Sequence, residues 1–190
     1  MTDIRDLTSD DADLIGSIIG RSFADDPVNQ WVFRGEGGIA PYYKHMARKL
    51  YLKKGFGHVA ANAAGGALWL PPGIPKDVPL WSNLDILLSM LRHGGPAALR
   101  NGFDIDALLQ NHKPKEPHYY LFAIGTLPTH QGQGIGSRII EAGLEVGDAA
   151  NMPAYLESSK YSNVPFYQKY GFEVIEVVTP EPGAPSLWVM

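Results

Sequence analysis

The chain has 190 residues, no cysteine and a formal net charge of −4, with a pI near 5.8. Those values exclude disulfides, zinc-thiolate sites and a thiol nucleophile, and they argue against a basic nucleic-acid or membrane-surface binder. A chain of this length buries roughly 70% of its unfolded surface, so one domain spanning 1–190 with a real core is expected, without nucleic-acid or membrane partners.

The opening Met1-Thr2-Asp3-Ile4-Arg5 has no leader-like pattern, and no run reaches about 18 apolar residues, so a soluble cytoplasmic chain is expected. Ile4 to Leu7 reads as a short strand. Thr8 or Ser9 then caps a helix whose Asp10, Asp11 and Asp13 suit its positive end and whose apolar face is Leu14, Ile15, Ile18 and Ile19. Asp25-Asp26-Pro27 reads either as a turn before proline or as a carboxylate pair able to attract and deprotonate an amine. Pro41 fits the first turn of a second helix carrying Tyr42, Met46, Leu50 and Tyr51, with Lys44, Arg48, Lys49, Lys53 and Lys54 facing water.

His58 to Ala61 and Ala67 to Leu70 flank a turn-forming stretch and predict a hairpin. After the break at Pro71-Pro72-Gly73-Ile74-Pro75 come two helical pieces, Trp81 to Leu91 and Ala97 to about Asn111, separated by Gly94-Gly95-Pro96. They form an inserted helical segment at about 75–115, read as a substrate-side cover or as core-packing helices. His118 to Leu127 is an apolar strand, followed by a glycine-rich loop and a helix with Ile135, Ile139, Ala142 and Val146 on one face. Ala154 to Glu157, Val164 to Tyr170, Phe172 to Val178 and Ser186 to Met190 read as strand, helix, strand and edge strand. The fold class is therefore α/β in the α+β sense, a mixed, mostly antiparallel sheet with helices on both faces.

Gln131-Gly132-Gln133-Gly134-Ile135-Gly136 joins the strand to the helix and is suited to an anion. The glycines permit a sharp turn and a close backbone approach. The first helical N–H groups lack internal partners and sit at the positive end of the helix dipole. A diphosphate ligand is implied. The spacing departs from Gly-x-Gly-x-x-Gly, and no lysine follows Gly136, which disfavours dinucleotide and Walker-type loops.

The Gln-x-x-Gly-x-Gly pattern from Gln131 to Gly136 resembles the signature of the GNAT N-acetyltransferases. Leu156-Glu157, Asn163-Val164-Pro165-Phe166-Tyr167 and Tyr170-Gly171-Phe172 extend the resemblance from Tyr119 to Val174. Phe23-Ala24-Asp25-Asp26-Pro27, Trp69-Leu70-Pro71-Pro72-Gly73 and His118-Tyr119-Tyr120-Leu121 are similar to a branch that includes puromycin acetyltransferase. The resemblance implies an acetyl-CoA co-substrate, with Ile124, Gly125 and Thr126 against its pantetheine arm and Gln131, Gly132, Gln133, Gly134, Ile135, Gly136 and Ser137 around its pyrophosphate. It also implies acetyl transfer to a primary amine of a small molecule, with a CoA-binding regulatory module or acetylation of a protein N-terminus or lysine as alternatives. The lysines and arginine of the second helix could alternatively meet the adenosine 3′-phosphate.

Tyr167 takes, by resemblance, the place of a tyrosine facing the CoA sulfur, where a phenol can act as general acid. Asn163 reads as a pantetheine or water contact or as a helix cap. Lys160 stands where the family often has Asn, which puts a usual polar cofactor contact in doubt. The base is left among Asp25, Asp26, Glu157 and His118, the last read as structural. Trp31, Trp69, Trp81, Phe23 and Phe33 read as acceptor-pocket walls or as core. The scattered histidines lack a ligand spacing, so no metal is expected. The oligomeric state, a homodimer included, stays open.

Overall fold

The computed structural model describes residues 2–76 and 84–190. Strand β1 (Ile4–Asp6) is followed by a single tight turn at Ser9–Asp11. There the Asp11 carboxylate accepts from both the Thr8 amide, at 2.8 Å, and the Thr8 hydroxyl, at 2.9 Å. Helix α1 (Ala12–Ser22) thus starts three residues later than Ser9, and it buries Ile15, Ile18 and Ile19 as its spacing predicts.

Helix α2 (Pro27–Phe33) has no counterpart in the sequence reading, where the segment was a turn. Its start is made by Asp26, whose carboxylate accepts from the Asn29 amide at 2.8 Å, with Pro27 in the first position where a missing N–H costs nothing. Helix α3 (Ile39–Met46) runs through a widened turn at Ala47–Tyr51 into α4 (Leu52–Lys54). The cations of this stretch are not all simply solvated: Lys44 and Arg48 pair with Asp13 at 2.7 and 3.0 Å, and Lys49 pairs with Asp85 at 3.1 Å.

Strands β2 (Phe56–Ala60) and β3 (Gly65–Leu70) form the expected antiparallel hairpin. The second helical piece begins within α5 (Leu84–His112), bent where Gly95 adopts φ 69° ahead of Pro96; the part of the expectation at Trp81 to Asn83 lies outside the described residues. Strand β4 (Tyr119–Thr126) precedes α6 (Ile135–Ala149), β5 (Ala154–Ser158), α7 (Val164–Gln168), β6 (Glu176–Val178) and β7 (Leu187–Val189). The predicted strand from Phe172 shortens to Glu176–Val178.

The seven strands make one sheet in the order β1-β2-β3-β4-β5-β7-β6. Every pairing described is antiparallel except β4 with β5. Strand alternation divides the core between the two faces. Leu68, Leu70, Tyr120 and Tyr155 pack toward α1 to α5, while Trp69, Leu121 and Leu156 pack toward α6 and α7. On α6 the buried stripe is Ile135, Ile139, Ile140, Gly143 and Gly147, and Val146 is exposed, contrary to the sequence reading. A Cβ at Gly143 would lie 2.5 Å from the Trp69 ring, so this glycine is what lets the indole pack flat on the helix.

Two irregularities in β4 shape the site. Leu68 pairs with Ala123 and Trp69 with Leu121, so Phe122 is an extra residue in the ladder, a bulge that re-aims its side chain. Its ring stacks on Tyr51 with centroids 4.2 Å apart. The β4–β5 pairing then ends at Leu121 and Leu156, so the strands part from there to the end of β4.

Candidate active site

The opening between β4 and β5 continues into a cavity of about 960 Å³, walled by α1, α2, α3, α5, α6 and α7. One end is built by β4 and the loop before α6. Gly132 and Gly134 have φ of 75° and 76°, values that favour glycine. Gly134 starts α6 with no side-chain cap, and the first main-chain bond back to it comes from the Arg138 amide at 3.2 Å. The N–H groups of Ile135, Gly136 and Ser137 therefore lack helical acceptors and point out of the helix start.

Gly136 lies where a Cβ would meet the Thr126 Oγ1 at 3.3 Å and the Phe166 ring at 3.8 Å, so the bare backbone keeps the approach open. These features fit a diphosphate. Gln131 braces the loop, its Nε2 donating to the Thr126 carbonyl at 3.3 Å. Gln133, also expected in this group, does not line the cavity, whereas His130 does. Lys44, Arg48, Lys49, Lys53 and Lys54 do not line it either.

The Leu127 amide is not free, because it donates to the Ala64 carbonyl at 2.8 Å. Alternation along an antiparallel pair then turns Gly125 toward β3 and leaves the backbone groups of Ile124 and Thr126 on the open side. Gly125 has a packing role as well: a Cβ there would sit 2.7 Å from the Ser22 Cβ, so its absence lets α1 close on the sheet.

Tyr167 lines the cavity from α7, 8% exposed, held edge-on by Phe166 at 5.3 Å and Phe172 at 6.1 Å. Burial, reinforced by the negative charge of Asp26, raises its phenol well above the ordinary tyrosine range. It stays protonated at neutral pH, able to donate. Asn163 lines the same wall, and its side chain does not cap α7.

Asp26 is 3% exposed. One carboxylate oxygen accepts from the Asn29 amide and, at 2.9 Å, from its side chain, and the other accepts from the Ser159 hydroxyl. Asn29 is in turn 3.4 Å from the Tyr43 hydroxyl. With three donors directed at it, Asp26 is the tie between the start of α2 and the end of β5. Glu157 lines the cavity from β5, and its charge adds to the burial that raises the phenols of Tyr120 and Tyr155. Lys160 also reaches the cavity, but its ammonium pairs with Asp25 at 2.6 Å.

His118 is buried outside this cavity, its Nδ1 2.7 Å from the Glu116 carbonyl, and burial lowers its pKa. Phe23 and Phe33 line the cavity, Trp69 is core, Trp31 lies against the helical core, and Trp81 is outside the described residues. Sequence reasoning missed Ser159, Tyr120, Phe122 and Asp106. Ser159 and Phe122 become legible only through long-range pairing and a bulge, and Asp106 through the placement of α5. Among the described residues no group of three or more acidic, histidine or cysteine side chains could hold a metal ion, and no helix is long and apolar enough to cross a membrane.

Residues 88–172 match the acetyltransferase (GNAT) family model. An uncharacterized N-acetyltransferase of Schizosaccharomyces pombe is 30% identical over 145 residues, covering 68% of this chain and 53% of that protein. The chain spans about half the length of the curated relatives it matches. A Corynebacterium glutamicum structure described as histone acetyltransferase HPA2 and related acetyltransferase superposes with a TM-score of 0.71 at 23% identity, covering 100% of this chain and 95% of that one. Arylalkylamine N-acetyltransferase 2 of Aedes aegypti superposes with a TM-score of 0.68 at 14% identity, covering 99% and 97%. At these identities the two structures establish the fold, which is the mixed α/β GNAT fold.

Proposed function

We propose that this chain, which carries a GNAT-family domain, moves an acetyl group from acetyl-CoA directly to the primary amine of a small molecule. The observation that carries the reading is the convergence of four features on one cavity: the unbonded amides at 135–137, the open edge of β4, the Tyr167 hydroxyl and the Glu157 carboxylate. Acetyl-CoA supplies the activated carbonyl and a thiol leaving group. The chain supplies what such a transfer needs from a protein. The α6 start gathers the diphosphate, and the Ile124 backbone groups with the Thr126 amide offer an open strand edge to an extended arm lying between β4 and β5.

Glu157 is the acceptor for the amine proton. A free alkyl ammonium has a pKa near 10.4, so at neutral pH the nucleophile must be made by removing a proton in place. Tyr167 is the donor to the departing thiolate, its phenol held neutral by burial. Without cysteine the acyl group has no thiol to rest on, so the amine attacks the thioester directly. Asp26, held by three donors, keeps this geometry together instead of acting as base. The α5 wall across the far end of the cavity supports a small acceptor over a protein N-terminus or lysine. Of the two fold matches, one is an arylalkylamine N-acetyltransferase, consistent with a small amine acceptor, and the other is described as a histone acetyltransferase.

Thiol release from acetyl-CoA across a panel of amines tests the reading. Acetylated product in step with thiol supports it; tight coenzyme binding with no turnover on any amine identifies a coenzyme-responsive binding module instead.

A further inference from the structure

The end of the cavity away from the α6 loop is formed by the second limb of α5 facing α3 and β4. Leu99, Phe103, Asp106 and Leu109 all line it, at spacings of four, three and three residues that place them along one side of a helix. Tyr42 and Phe122 line the opposite wall, their rings 6.4 Å apart. The stripe is apolar but for one carboxylate. Phe103 is 55% exposed, a large ring left half uncovered at the edge of an otherwise filled apolar wall.

The charges in the cavity are unevenly matched. Lys160 is paired with Asp25, Lys76 sits 5.1 Å over the Tyr120 ring, and Asp26 is bound by its three donors. Asp106 and Glu157 form no ion pair among the described residues, and Asp106 contributes to the burial-driven rise of the Tyr42 phenol. A carboxylate-bearing acceptor would therefore meet an excess of negative charge, with Asp26, Asp106 and Glu157 set against Lys76, which has no ion-pair partner among the described residues. A polyamine would have to lay further ammonium groups along Leu99, Phe103 and Leu109, where desolvating them is unfavourable. Pairing one of them with the exposed Asp106 would return no more than about fivefold in affinity. Covering an aromatic ring in the same place contributes at least about tenfold.

Resting on the transferase reading above, we propose that the acceptor is an aryl-substituted primary monoamine, its ring seated between Phe103 and Tyr42 and its ammonium drawn past Asp106 toward Glu157. Asp106 and Phe103 are then the specificity-determining residues that the α5 segment contributes.

The test is kcat/KM for phenethylamine, tryptamine, propylamine, putrescine, spermidine and glycine with the full chain at saturating acetyl-CoA, alongside calorimetric coenzyme binding. The aryl amines are expected to exceed propylamine and both polyamines by at least about tenfold. Phe103→Ala should remove most of that margin through KM, lowering phenethylamine more than propylamine. Asp106→Asn should raise KM for every amine by about fivefold at low salt, with a smaller effect at high salt. Because Phe103 and Asp106 are both exposed, thermal melts should stay close to the parent, separating a binding defect from a folding one. Putrescine, spermidine or glycine leading the series, or Phe103→Ala acting equally on phenethylamine and propylamine, overturns the acceptor assignment and leaves the transferase reading standing. Coenzyme binding with no amine turned over overturns both.

Discussion

The Asp26 carboxylate accepts a hydrogen bond from the Ser159 hydroxyl across a separation of 133 residues, joining the start of α2 to the loop that leaves β5. Because Asp26 also caps α2 and Ser159 follows directly on the strand bearing Glu157, the bond ties α2 to β5 on the wall of the cavity. Asp26→Ala leaves the Asn29 and Ser159 donors buried without an acceptor and should lower unfolding free energy by about 2 to 4 kcal/mol. Urea titration measures this. Ser159→Ala should cost about 1 kcal/mol, the difference reflecting the helix cap that survives.

Tyr167→Phe removes the proton donor and keeps the ring contacts with Phe166 and Phe172. Turnover should fall at least about tenfold while the calorimetric affinity for acetyl-CoA stays within about twofold. Retained turnover would remove Tyr167 from the chemistry.

Gly134→Ala places a Cβ on a residue at φ 76°, in the left-handed region that side chains avoid. A cost of about 1 kcal/mol in stability is expected, with acetyl-CoA affinity weakened about tenfold as the α6 start is displaced. Gly134→Asn should be milder in both, since Asn tolerates that backbone region; equal damage from the two would point to side-chain bulk at the loop, not to backbone strain.

Burial raises the phenols of Tyr42, Tyr43, Tyr51, Tyr120, Tyr155 and Tyr167. In the unfolded chain they ionise near pH 10, whereas the folded chain keeps their protons longer. Their contribution to stability is thus intact below about pH 10 and is lost as pH climbs through the raised folded values. Denaturant midpoints between about pH 8 and 11 should hold steady and then drop. For the same reason the acid form of Tyr167 should persist, so kcat/KM should rise with the deprotonating amine and show no descending limb below about pH 10.

Gly143→Ala tests the packing of the other sheet face. The added methyl would meet the fully buried Trp69 ring at 2.5 Å, and overpacking of this kind costs about 1 to 3 kcal/mol. A thermal melt at parental temperature would show that the indole has room to shift.

The order of strands and helices, the hairpin, the break at Gly95 and the glycine loop were legible because each rests on local chemistry: alternation, caps, and glycine or proline placement. Helix α2 was not, because Asp25-Asp26-Pro27 serves a turn and a helix start equally well until Asn29 and Ser159 supply the partners. The exposed Val146 and the buried Gly143 exchange the roles that hydrophobicity alone assigns them, since a glycine enters the core only when a ring such as Trp69 arrives from another strand. The cavity lining was readable where one segment makes it, at Gln131, Gly132, Gly134 to Ser137 and Tyr167. It was unreadable where distant segments meet, as at Asp26 with Ser159 or at Phe103 with Tyr42.

The parallel ladder between β4 and β5 consists of the pairs Tyr119 with Ala154, Tyr120 with Tyr155 and Leu121 with Leu156. Beyond them the sheet is a seam left unstitched, with one flank carrying β1 to β4 and the other carrying β5, β7 and β6. An extended arm lying in that seam, as proposed above, would share its bonds between recognition and cohesion, so occupancy and the mechanical unity of the two flanks should rise and fall together.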